Sequence, residues 1–242
     1  MGILMKNLLV LLTAFSLVAG VHAQEAYSNA VGMVKLNISK GSLQMVGIPF
    51  IFPDGPKTAE ELFGSSLPPD TTIHKWVNDE EGLGNWVSVT YQKGFLGTPD
   101  SWSSDMTFDR LDGMFIEIPD GAELDDTYVV SILGTVPDSD SSIQLENGLL
   151  HFLSFHYPVA VSISDQRLGL NPSINDTVHK WDTEANNGVG GYVSTTYQEG
   201  FLGTPDTWSD PDFTLNPGEG FIYESKGSKS WYPLVSEFYT LN

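Results

Sequence analysis

One fourteen-residue segment is written twice in this chain: TYQKGFLGTPDSWS at 90–103 and TYQEGFLGTPDTWS at 196–209, with twelve positions identical. The flanks repeat as well. Ile73-His74-Lys75-Trp76 returns as Val178-His179-Lys180-Trp181, and Asp112-Gly113-Met114-Phe115-Ile116 returns as Glu219-Gly220-Phe221-Ile222-Tyr223. A repeat at this spacing predicts two copies of one supersecondary unit, so whatever the segment does is done twice.

Ahead of the repeat, residues 1–23 read as a secretory signal peptide. Lys6 supplies a minimal positive region, residues 8–18 an apolar run, and Val21-His22-Ala23 a small-residue cleavage site before Gln24. The run is too short for a stable span, and no later stretch is apolar for long enough to cross a bilayer. The expected location is therefore secreted or at the cell surface. Without Lys6, ten basic residues face 31 acidic ones, a net charge of −21. Such a charge repels nucleic acid, whose binding needs Lys and Arg on phosphates. There are no cysteines, so an exported chain of this kind must be held by burial, bound ions or assembly rather than by disulfides.

Helix signals are confined to residues 57–62 (KTAEEL), opened by Pro56. Elsewhere the chain alternates. Val34, Leu36 and Ile38 take one parity against Lys35, Asn37 and Ser39, while Val87, Val89 and Tyr91 oppose Trp86 and Ser88. A period of two bounded by Gly, Pro, Asn and Asp predicts strands. The runs at 43–50 and 149–157 are more apolar than the alternating strands, which suits burial on both faces. The fold class predicted is all-β: two tandem β-sandwich or barrel-like domains, at 24–138 and 139–242, joined around 137–142. Strands at 127–136 and 231–239 would close the two units. The predicted interior holds Leu43, Val46, Ile48, Trp76, Val87, Val89 and Phe115 in the first, and Val178, Trp181, Val193, Phe221 and Tyr223 in the second.

Taken together, GSLQMVGIPF, IHKW with NWVSV, and NPGEGFIY resemble a family of secreted bacterial β-domains. Those domains have an apolar strand ending in Pro, a "YKW"-type strand and a closing Leu-x-Pro-Gly-x-Gly-aromatic turn. They are familiar from exported proteins of planctomycete and verrucomicrobium-like bacteria, often in tandem and mostly without assigned function. The resemblance covers nearly all of residues 27–242. Asn216-Pro217-Gly218-Glu219-Gly220 matches the closing turn, whereas Asp109-Arg110-Leu111-Asp112-Gly113 lacks its Pro and first Gly.

The repeated loop is the first candidate site. Phe95, Asp100 and Trp102, with Phe201, Asp206 and Trp208, supply aromatic faces and acceptors of the kind that bind sugars. The opposing reading has each Trp folded back to plug the interior. Asp105, Asp109, Asp210, Asp212 and Glu219 are candidate calcium ligands by their oxygen count, calcium being the one cofactor the chain suggests. Twin His74 and His179 read as half-exposed strand residues, because a catalytic histidine rarely needs a duplicate. No nucleophile elbow, zinc-protease helix, P-loop or dinucleotide fingerprint is present. The predicted function is a non-enzymatic structural or interaction module outside the cell, with envelope or matrix glycan or other surface proteins as partners. Carbohydrate binding through the loops is the alternative, and hydrolysis of an extracellular polysaccharide a more distant one.

Overall fold

The structure, a computed structural model, describes residues 30–78, 84–137, 142–155, 157 and 159–233. The expected signal peptide, the centre of the expected join at 137–142 and the remainder of the last expected strand lie outside the described residues. The chain is all-β. The first half forms β1 (Val31–Ser39), β2 (Leu43–Gly47), β3 (Lys57–Thr58), β4 (Thr72–Asn78), β5 (Gly84–Gln92), β6 (Ser101–Trp102), β7 (Thr107–Phe108), β8 (Gly113–Glu117) and β9 (Thr127–Thr135). The second half forms β10 (Ile143–Leu145), β11 (Leu150–Ser154), β12 (Val161–Ser162), β13 (Thr177–Asp182), β14 (Gly191–Gln198), β15 (Thr207–Trp208), β16 (Thr214–Leu215), β17 (Gly220–Glu224) and β18 (Lys229–Trp231).

Each half builds one five-stranded antiparallel sheet, ordered β2-β8-β4-β5-β6 in the first and β11-β17-β13-β14-β15 in the second. A ribbon, β1–β9 or β10–β18, covers one face of each. None of these sheets closes on itself, so the barrel-like alternative gives way to open, layered sheets. The α-helix α1 (Ala59–Phe63) starts later than Pro56 suggested. Thr58 caps it, its side chain accepting from Glu61 N while Glu61 reaches back to Thr58 N at 2.8 Å, which satisfies two end donors together.

Strand alternation sorts the interior into three clusters. Val46, Ile48, Ile73, Val89, Met114 and Ile116 face Leu36, Ile38, Val130 and Ile132 of the ribbon. Leu153, Val178, Phe221 and Tyr223 face Leu145 and Trp231. Between the two sheets lie Met45, Phe115 and Ile222, with Leu43, Leu150, Phe152 and Trp181 packed against them. The apolar runs of β2 and β11 are thus buried on both faces. This corrects five assignments, the first being Leu43, which packs between the two sheets. Trp76 and Phe115 lie on the opposite face from Ile73 and Met114, stacked against or tilted toward the other half; Trp181 does the same; and Val87 is exposed. A period-2 strand forces the separation of the rings, because residues an odd number of positions apart cannot share a face; Val87 lies on the face of Val89 and is nonetheless exposed.

The halves meet through backbone as well as side chains. Gly47 N donates to Gly218 O at 2.9 Å, and Ser154 N to Leu111 O at 2.8 Å. Bridges join Val46 to Glu219 and Asp112 to Leu153. Exchanging the halves converts each contact into the other, so the junction has an approximate twofold relation. It is also close. A Cβ on Gly113 would stand 2.7 Å from Leu153 O, and one on Gly220 2.5 Å from Val46 O, so only glycine admits the approach.

Candidate functional site

The repeated loop takes one shape in both halves. Gly94 N donates to Asp100 Oδ1 and Phe95 N to Thr98 Oγ1, each at 2.8 Å. Gly200 with Asp206 and Phe201 with Thr204 repeat both distances. Asp100 and Asp206 therefore spend an oxygen closing their own loops. Leu96 and Leu202 sit in the left-handed region, at φ 52° and 51°, which costs a side-chain-bearing residue about 1–2 kcal/mol. This frame presents Phe95 and Leu96 at 75% and 89% exposure, and Phe201 and Leu202 at 76% and 89%.

The two tryptophans turn the other way. Trp208 is 4% exposed and packs on Tyr197, 5.4 Å between ring centroids. Trp102 is half-buried against Tyr91 and Phe63, at 5.2 and 6.2 Å. Exposure in the loop and plugging of the interior thus coexist, carried by different residues. Of the four aromatic candidates, Phe95 and Phe201 have open rings.

The acidic candidates are dispersed, and among the described residues no three His, Asp or Glu side chains converge as a metal set. Asp105 is exposed. Asp109 Oδ1 accepts from Arg110 N at 2.7 Å, and Asp210 Oδ1 from Asp212 N at 3.2 Å. Glu219 Oε2 accepts from Asn216 N at 2.8 Å, while its Oε1 lies 3.7 Å from Lys180 Nζ. Burial pushes the Glu219 carboxyl above its ordinary value, against those partners.

A second cluster escaped the sequence reading. On the face of each sheet that meets the other half, His74 Nδ1 lies 2.7 Å from Ser88 Oγ and its Nε2 3.2 Å from Glu117 Oε2. His179 repeats the arrangement with Ser194 at 2.6 Å and Glu224 at 3.7 Å. With the Nε2 proton directed to the carboxylate, Nδ1 accepts from the serine hydroxyl. The contact order is that of a nucleophile relay, but the geometry is a ladder on neighbouring strands: His74 stands opposite Ser88, and Glu117 one diagonal away. Burial pulls the His179 imidazole below its ordinary value although Glu224 favours its charge. The registers of β4 on β5 and on β8 bring these residues together, and strand periodicity alone does not specify them.

Aromatic rings surround each ladder. Trp76 stacks on Phe152 at 5.2 Å, Trp86 meets Phe152 edge-on at 4.8 Å, and Phe115 contacts Trp181 at 5.6 Å. Two clefts open beside them. One, of about 310 Å³, is lined by Leu43, His74, Trp86, Phe115, Glu117 and Tyr192. The other, of about 280 Å³, is lined by residues that include Trp76, Leu150, Phe152, His179 and Ile222.

Comparison with protein-family models, with curated proteins and with solved structures gave no match. The likeness to secreted tandem β-domains rests on the motifs alone.

Proposed function

We propose that this chain is an exported, non-enzymatic interaction module built from two tandem copies of one β-sandwich unit and working at the cell surface or in the extracellular matrix. The observation that carries this reading is the pair of apolar loop tips. Single exposed apolar residues are ordinary on protein surfaces. Here Phe95-Leu96 and Phe201-Leu202 stand out together, in the same backbone shape, on frames closed by their own hydrogen bonds. A rigid, exposed Phe loses little freedom on binding and offers a large apolar area.

The test is a quadruple variant, F95S/L96S/F201S/L202S, assayed on isolated envelope and matrix material. Loss of retention with an unchanged denaturation midpoint supports the reading. Retention equal to that of the unaltered chain overturns it, as does a strictly monomeric protein that binds no envelope fraction. Retention on purified polysaccharide, abolished by the same substitutions, would assign the partner as glycan.

A further inference from the structure

The two clefts occupy corresponding places, yet they differ in chemistry. In the first, Phe115 forms the base, 5.7 Å from Trp86 at 60° and 6.4 Å from Tyr192 at 76°. Trp86 and Tyr192 are each about half exposed. Three π-systems are thus set at steep angles to one another around about 310 Å³ of open space. Glu117 stands at the rim, and its carboxylate meets His74; among the described residues no Lys or Arg pairs with it.

The second cleft shares Trp86 and Tyr192 but has Ile222 where the first has Phe115. The carboxylate corresponding to Glu117 is Glu224, which Lys226 neutralises by a direct ion pair. Both clefts are aromatic, the second adding Trp76 and Phe152 to the two shared rings, and what sets the first apart is an uncompensated carboxylate beside the Phe115 ring. The surrounding protein, at −20 overall, adds a field that draws cations.

We propose that the cleft of Trp86, Phe115, Tyr192, His74 and Glu117 binds a small organic cation of the quaternary ammonium class. Aromatic faces attract such a cation through their quadrupoles, and the diffuse charge of a tetraalkylammonium is shed from water at low cost. Glu117 supplies the counter-charge at the mouth, and His74, held between Ser88 and Glu117, fixes that carboxylate in place. The site is independent of the loop tips and would operate whether or not they contact a partner.

Choline chloride titrated into the full chain, followed by calorimetry and by tryptophan fluorescence, tests the assignment. The control is 3,3-dimethylbutan-1-ol, which has the shape of choline with carbon in place of the charged nitrogen. The expected result is one site per chain, with choline bound about tenfold tighter than the neutral isostere. Trp86→Ala should weaken choline about tenfold, and Glu117→Gln by about threefold, less at high salt. Phe115→Ile, which installs the residue of the other cleft, should also weaken it. Glu117 is exposed, so E117Q keeps its fold and the test stays informative if W86A does not. Equal affinity for choline and the isostere overturns the proposal, as does an unchanged E117Q or the absence of saturation at tens of millimolar. Preferential binding of glucose at this cleft, lost in W86A, also overturns it.

Discussion

Thr71, Ile116 and Tyr128 in the first half occupy the places that Asp176, Tyr223 and Lys229 occupy in the second, as the two sets of strand registers show. Thr71 is buried and answers its own hydroxyl locally, donating to Pro68 O at 2.7 Å. Asp176 is also completely buried, but as an anion. It pairs with Lys229, accepts from Tyr223 Oη at 2.6 Å, and takes the N–H groups of Lys226 and Ser173 at 2.6 and 2.7 Å. One backbone thus tolerates a neutral interior and an ionised one. Burial by itself would push the Asp176 carboxyl up; the Lys229 and Tyr223 contacts and the two N–H donors outweigh it and hold the group below its usual range. Tyr223, buried beside that charge, is pushed well up. The contrast teaches that sheet order and glycine contacts specify the fold, while the network in the second half is an addition whose parts depend on one another.

The sharpest way to break the comparison is to delete one member on each side. Asp176→Ala leaves Lys229 buried without its partner and should cost about 3–5 kcal/mol in chemical denaturation. Thr71→Ala should cost about 1 kcal/mol, one local hydrogen bond. Equal losses would remove the distinction. Transplanting the neutral set as D176T/Y223I/K229Y should recover most of the loss, since a buried ion pair exchanged for packed neutral groups is often harmless.

The two loop tryptophans grade the halves next. Trp208→Ala should cost about 3–5 kcal/mol, as expected for a buried ring, and Trp102→Ala clearly less because its ring is half open. A reversed order would show that exposure does not rank the two plugs.

Acid should separate the halves more gently. The Asp176 pKa is lower folded than unfolded, so its stabilisation is complete above the unfolded value of about 3.9 and fades as pH falls through the folded one. Denaturation series between pH 5 and 2 should therefore steepen for the unaltered chain relative to the D176T/Y223I/K229Y variant. The smallest effect belongs to the tips. Phe95→Ser and Phe201→Ser should each change stability by less than about 0.5 kcal/mol, equally in both halves.

Much of this organisation was legible in the residues. Alternation marked β1 and β5, the more apolar runs at 43–50 and 149–157 announced strands covered on both sides, and the duplicated segment predicted two loops of one shape. Periodicity could not say what covers the second face. The grouping of Trp76 and Phe115 with Val89 failed because the rings pack across to Phe152 and Trp181, far away in sequence. Inside the loop no period operates, so Phe95 and Trp102 could not be told apart as exposed and buried. The His74–Ser88–Glu117 ladder was hidden for a related reason, since cross-strand register is a property of pairing and not of either strand.

The paired contacts Gly47 to Gly218 and Ser154 to Leu111 carry a further consequence for handling the protein. A surface that fits its counterpart by a half-turn fits the same counterpart in a neighbouring molecule equally well. Two chains refolding side by side can trade halves, forming an entwined dimer with no contact foreign to the monomer. Whether a preparation is single or entwined should then follow the concentration at which it was refolded, and persist after dilution.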